Sequence, residues 1–192
     1  MKRIPAVELF SNWADIGKDE GMEAGHSPSV EVMINEAIKR TNDAFASIDV
    51  GCGNGWTVRR LAKLPECSFS CGVDGSESMI RKARFIDPGG KYYLGSLPNW
   101  APQEKFDLVI SMEFLYYLDR PFVFLESDFL PFFLSDQKVN VLFTVVGLKH
   151  SLRKYARDNI PNYIEIFIES DLNQIIKFGK KKTYKQKKNI VG

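Results

Sequence analysis

One stretch restricts the fold of this chain more than any other: Ser47-Ile48-Asp49-Val50-Gly51-Cys52-Gly53-Asn54-Gly55. Ile48 and Val50 close an apolar, β-leaning run. Three glycines at alternate positions break it, and Trp56 to Leu64 resumes with apolar residues at helical spacing. This predicts a strand, a tight glycine turn and a helix. Glycine at such a junction lets a ligand come close to the backbone and directs the helix N-terminus toward it. A second short strand, Phe69 to Val73, ends on Asp74, 19 residues after Gly55. A carboxylate at that place can bond both hydroxyls of a ribose, so a nucleotide-like ligand is the first expectation.

Spacing separates the kinds of nucleotide. The dinucleotide fingerprint G-x-G-x-x-G needs glycine at position 56, where this chain has Trp56, a side chain that would crowd a pyrophosphate. The pattern here is apolar-Asp-apolar-Gly-x-Gly-x-Gly, with Asp49 just before the turn. A carboxylate there disfavours phosphate and suits a ligand with a positive group. This arrangement resembles motif I of the class I S-adenosylmethionine-dependent methyltransferases, whose cofactor has an amino-acid end, a ribose and no phosphate. The resemblance runs from residue 47 to about 118. It rests jointly on the glycine turn, on Asp74 and on the strand beginning Phe106-Asp107. It implies a Rossmann-like, doubly wound α/β fold with a mainly parallel sheet and helices on both faces.

Site residues follow from the same resemblance. Asp49, Gly51, Cys52, Gly53 and Gly55 would surround the methionine end of S-adenosyl-L-methionine, and Asp74 would hold its ribose. Gly75, Ser76 and Met79, at the start of the next helix, would sit by the adenosine, with Ser96 and Leu97 beside the adenine. The family often has Asp where this chain has Ser96, a weaker anchor. Ser111 and Met112, at the end of the Phe106–Ser111 strand, would face the transferable methyl. Tyr116 and Tyr117 would line the acceptor pocket. His26, Glu113, Tyr116 and His150 are the candidate bases, none of them fixed by a motif.

In chain order, residues 5–16 predict a short amphipathic helix carrying Val7, Phe10 and Trp13, ended by Gly17. Residues 17–28 contain three glycines, several charged groups, His26 and Pro28, and predict a loop of the kind that carries function on a rigid scaffold. Similar segments fold over the cofactor in some methyltransferases of this kind. Ser27 or Ser29 would cap a helix reaching about Arg40, with Val30, Met33, Ile34, Ala37 and Ile38 on one face, closed by Thr41-Asn42-Asp43. Further elements are expected at Phe45–Val50 (strand), 76–84 (helix, opened by a Ser/Glu cap signal), 91–94 (strand), 122–134 (helix), 139–146 (strand) and 170–179 (helix). After Gly179 only 13 residues remain, too few for the two strands that complete such a sheet. The last strand or strands are therefore expected to be missing. The expected organisation is one domain over 1–179, with an N-terminal helical segment at 1–43, a core at 44–179 and a tail at 180–192.

Composition bounds the remaining classes. The formal charge of +2 includes seven lysines and no acid within residues 177–192, leaving 2 − 7 = −5 on the rest. No basic patch stands outside the tail, which disfavours nucleic acid as the partner and favours a small-molecule methyl acceptor. An incomplete sheet edge would allow a homodimer. Three cysteines show no metal-ligand spacing, and no apolar run is long enough to span a bilayer, so a cytoplasmic protein without a metal is expected. Two other readings compete. One is a non-catalytic or regulatory S-adenosylmethionine-binding protein on a truncated methyltransferase fold. The other is a nicotinamide-dependent oxidoreductase, against which Trp56 stands.

Overall fold

The structure, a computed structural model, describes residues 4–41, 44–96, 99–112, 114, 117–118, 140–144, 154 and 157–158. For Met22 and residues 140–144 it describes the backbone alone. The chain forms two compact units, Met1–Val145 and Val146–Gly192. In the second, Lys154 Nζ pairs with Asp158 Oδ2 at 2.6 Å, one helical turn apart. Everything below concerns the first unit. The expected domain limit at 179 and the helices expected at 122–134 and 170–179 lie outside the described residues.

Five strands form one wholly parallel sheet: β1 (Phe45–Val50), β2 (Cys67–Asp74), β3 (Lys91–Leu94), β4 (Leu108–Met112) and β5 (Asn140–Thr144), in the spatial order β3-β2-β1-β4-β5. The order reverses at β1. In an open α/β sheet such a switch point, at the carboxyl ends of the strands, is where ligands bind. The β1–β4 register is pinned from one residue. Asp107 N donates to the Ala46 carbonyl at 2.9 Å, and Asp107 Oδ2 accepts from Ala46 N at 2.8 Å. Asp107 therefore serves the sheet rather than the site.

Both faces of β1 are buried, as a central parallel strand requires. Ile48 and Val50 pack with Cys71, Val73, Phe106 and Val109 on one face. Phe45 meets Leu108, Ile110, Trp56 and Leu61 on the other. That second face carries α2 (Glu20–Ile38), which buries Val30, Met33 and Ile34, together with α3 (Trp56–Leu61) and α4 (Glu77–Ile86). The first face is packed by Trp100, Phe114 and Leu118. The side chain of Ser76 caps α4, accepting from Met79 N at 3.2 Å.

Several boundaries differ from the sequence expectation; β4, expected over Phe106–Ser111, runs Leu108–Met112. β2 starts at Cys67 and not Phe69. α3 stops at Leu61 instead of Leu64, because turn hydrogen bonds from Leu64 N to Leu61 O and from Cys67 N to Leu64 O return the chain to the sheet. The largest correction is at 17–28, expected as a loop and found mostly helical. α2 begins at Glu20 and runs through Gly21, Gly25 and Pro28, so neither Ser27 nor Ser29 is a cap. A proline inside a helix removes one hydrogen bond and costs about 3 kcal/mol. Here the carbonyl it orphans, on exposed Ala24, faces solvent, and both ends of the helix are tied down. α1 (Ala6–Asp15) forms as expected, but Val7 on its stripe is exposed and no residue of α1 is fully buried.

Two changes test this packing. Ile34 is fully buried and Val32 is 57% exposed on the same helix. Ile34→Ala should cost about 2–5 kcal/mol by urea denaturation and Val32→Ala less than about 0.5 kcal/mol. Equal costs would refute the buried face assigned to α2. Gly55 holds φ +77°, and a Cβ there would strike the Tyr92 ring. Gly55→Ala should therefore lower stability by about 1–3 kcal/mol in the same assay, and a neutral or stabilising result would refute the packed turn.

Candidate functional site

The site grows from the backbone between β1 and α3. Gly51, Gly53 and Gly55 hold φ of +81°, +54° and +77°, so the turn needs glycine at each. Gly51 N and Cys52 N both donate to the Val73 carbonyl, at 2.8 and 3.0 Å, which hooks the turn over the end of β2. The space around the three glycines differs. A Cβ on Gly51 would press on the Phe114 ring at 3.0 Å. One on Gly55 would collide with Tyr92. One on Gly53 would find only Met79 Sδ, 4.0 Å away. Gly53 is thus the place where the backbone lies bare toward an approaching group.

Two carboxylates flank that opening. Asp74, at the end of β2, is half-buried. Its Oδ2 accepts from Gly53 N at 2.9 Å and its Oδ1 from Ser76 N at 2.8 Å. An ionised carboxylate has about four acceptor sites, so two remain. Burial raises its pKa, and those two backbone donors oppose the rise. Asp49, in β1, is 1% exposed, and neither of its oxygens has a hydrogen-bond partner among the described residues. The Thr57 hydroxyl makes no hydrogen bond of normal geometry among the described residues, but it lies near enough to Asp49 to favour its charged form. Burial first, and then the neighbouring Asp74 charge, push the Asp49 pKa up to about 8, with Thr57 opposing. An orphaned buried carboxylate is costly, and a cation delivered to it would relieve that cost.

The other residues expected at the site divide into three groups. Gly51, Cys52, Gly53, Met112 and His26 line one cleft, which encloses about 430 Å³ including solvent at its mouth. His26 is exposed there, on the helical segment that replaces the expected loop. Gly75, Ser76 and Met79 lie beside Asp74, though Met79 is fully buried beneath the turn. The third group is turned to other tasks. The Cys52 thiol packs against Gly72, and burial raises its pKa. The Ser111 hydroxyl donates to the Val50 carbonyl at 2.9 Å, tying β4 to β1. Ser96 is exposed, with its carbonyl accepting from Trp100 N. Leu97, Glu113, Tyr116 and His150 lie outside the described residues.

The sequence reading missed Asp19 and Asn54, both buried and both lining the cleft. α1 lies along the Gly75–Ser76 end of the opening. The Ser11 and Ser76 hydroxyls share a 2.8 Å hydrogen bond, a Cβ on Gly75 would lie 3.1 Å from Val7, and Asp15 pairs with Arg81. Phe10 meets Tyr117 edge-on at 5.2 Å. No helix among the described residues is long and apolar enough to cross a membrane, and no cluster there has the make-up of a metal site.

Comparison with known proteins fits this geometry. Residues 48–127 match a family model described as a methyltransferase domain. The trans-aconitate 2-methyltransferase of Acidovorax sp. (strain JS42) is 34% identical over 64 residues, 33% of this chain and 25% of that protein. The enzyme of the same name from Escherichia coli O1:K1 / APEC is 28% identical over 91 residues, covering 47% and 35%. The chain thus spans between 25% and 35% of the length of these curated relatives. A solved structure described as a DhpI-SAM-HEP complex superposes with a TM-score of 0.58 at 18% identity, over 86% of this chain and 77% of that one, a likeness of fold. Residues 48–127, which include the glycine turn at the switch point of the parallel sheet, are thus similar to a methyltransferase domain.

Proposed function

We propose that this chain binds S-adenosyl-L-methionine at the 51–55 turn and transfers its methyl group to a small-molecule acceptor by in-line displacement. The observation that carries the reading is Asp49, a fully buried carboxylate whose oxygens have no hydrogen-bond partner among the described residues, two positions before the first glycine of the turn. The cofactor's α-ammonium is a cation of the kind this site lacks. The two open acceptor sites on Asp74 suit vicinal ribose hydroxyls, and Gly75 and Ser76 would flank the nucleoside. When bound, the cofactor supplies a sulfonium-activated methyl, so the chain's own task is to orient and to exclude water. The glycine turn fixes the amino-acid end, Asp74 the ribose, and α1 covers the nucleoside side. Met112 at the end of β4 and Tyr117 would shape the acceptor side. His26, exposed at the cleft, is placed to take a proton where the acceptor has one to lose. A small acceptor agrees with the names of the trans-aconitate methyltransferases and with the acidic character outside the lysine-rich tail.

A second reading, cofactor binding without turnover, draws on the Ser111 hydroxyl being tied to Val50. A cofactor-binding chain that yields no product from any acceptor pool would favour it.

S-adenosylhomocysteine at about 100 times its dissociation constant should stabilise the protein by about 2.7 kcal/mol, a melting shift of a few degrees. NAD should produce none, and Asp74→Ala should abolish the shift. A cooperatively folded chain with no shift would defeat the proposal.

The high pKa of Asp49 gives two pH dependences. In the unfolded chain Asp49 is ionised above its ordinary value of 3.8, whereas in the fold it stays protonated to about 8. Its contribution to stability is therefore greatest below pH ~4, declines from there to pH ~8 and is flat above. Asp49→Asn should remove that decline from the urea-derived stability profile. Cofactor affinity should run the opposite way, since an ammonium pairs with the ionised form. The calorimetric dissociation constant should fall by up to about tenfold per pH unit below 8 and level off above it, and a profile flat from pH 6 to 9 would contradict the pairing.

A further inference from the structure

Among the described residues outside the matched 48–127 segment, Asp19 is the most deeply buried charged group. Its side chain is 1% exposed, and both of its oxygens are engaged. Oδ2 accepts from Asn54 Nδ2 at 2.8 Å, and Oδ1 accepts from Lys82 Nζ at 2.8 Å. It stands at the N-cap position of α2 yet makes no capping bond, because the carboxylate is turned inward to these two partners. One residue thus joins three segments: the α1–α2 junction, the glycine turn and α4.

Asn54 is held at three of its groups. Its amide donates to Asp19, its Oδ1 accepts from Trp56 N at 3.3 Å, and its carbonyl accepts from Arg59 Nη1 at 2.6 Å. The next residue back, Gly53, is held from the opposite side by Asp74. The bare face of Gly53 therefore lies between two restraints, one from β2 and one from Asp19 acting through Asn54. Lys82 also reaches Glu20 Oε1 at 3.1 Å, on the exposed side. Burying a carboxylate in a segment this open costs free energy that packing alone does not explain, whereas fixing the turn gives it a task.

We infer that Asp19 is a positioning residue for the amino-acid end of the cofactor site: through Asn54 it holds the Gly53–Gly55 backbone in the path that receives that end. The inference rests on the proposed function. Asp19 acts on the turn and leaves the nucleoside end to Asp74 and α1.

Calorimetric titration of the full chain tests it with two probes. S-adenosylhomocysteine carries both ends of the cofactor, and 5′-methylthioadenosine carries the nucleoside and lacks the amino-acid end. Asp19→Ala should weaken S-adenosylhomocysteine by about tenfold or more and methylthioadenosine by no more than about twofold. Asp19→Asn keeps an oxygen for the Asn54 amide and should weaken the same probe by less. Asp19→Ala placed on Asn54→Ala should add nothing to the loss from Asn54→Ala alone, because the two act in series. Val30→Ala, a core change elsewhere on α2, should leave the ratio of the two affinities at the wild-type value. Should Asp19→Ala fail to fold by circular dichroism, Asp19→Asn carries the same comparison. Equal losses on both probes, additive losses in the double variant, or wild-type affinity in a folded Asp19 variant would each overturn the inference while leaving the cofactor reading intact. Binding of neither probe by the wild-type chain would overturn the cofactor reading, and the inference with it.

Discussion

Between β1 and α3 the chain reverses within five residues, and three of them hold φ between +54° and +81°. Only glycine takes that path without strain, and the rest of the unit is arranged to hold it. Val73 supplies the carbonyl that anchors the turn's first two amides, and Asp74, next in sequence, accepts from Gly53 N. Tyr92 in β3 fills the space that a Gly55 side chain would need, and Tyr92 is itself fixed by donating to Asp87 Oδ2 at 2.9 Å. Gly72 in β2 leaves room for Cys52, since a Cβ there would fall 2.7 Å from the Cys52 sulfur. Strand, turn and neighbouring strand are thus fitted to one another, which is why one short motif says so much about the fold.

The electrostatics follow from the same crowding. Hooking the turn over β2 brings the Asp74 charge near enough to Asp49 to oppose its ionisation, which burial already opposes. Asp74 is eased by two backbone donors and some exposure. Asp49 has neither. Two carboxylates of one type thereby acquire different characters, one hydrogen-bonded and partly exposed, the other buried with its pKa raised.

What could be read in the sequence was what local chemistry determines. Phe45–Val50 and Lys91–Leu94 form as expected, because β-branched and aromatic residues bounded by turn formers leave little choice. Ser76 caps α4 for the reason its position suggests. The start of α2 was illegible because Gly21, Gly25 and Pro28 all argue locally against a helix. What overrides them is tertiary: Asp19 anchored at one end, Val30, Met33 and Ile34 buried toward the other, and Arg60 of α3 gripping Glu31 through both of its oxygens. Asp19 carried no signal at all. Its partners lie 35 and 63 residues downstream, and neither periodicity nor motif links them. Asp107 shows the opposite limit, since a residue belonging to the family pattern proved to be a register pin.

The separations in that N-terminal cover also bear on how the fold assembles. Its bonds to the body span 35 residues at Asn54, 63 at Lys82, 65 at Ser76 and 66 at Arg81. Each loop must close before any of these bonds can repay the entropy lost in closing it. The apolar stripe of α2 is in the same position, because Leu108 and Ile110 against which it packs lie some 75 residues later. The β1–β4 pairing, Ser47 with Leu108, closes a loop of the same order, so the N-terminal cover and the sheet beneath it depend on contacts of similar reach.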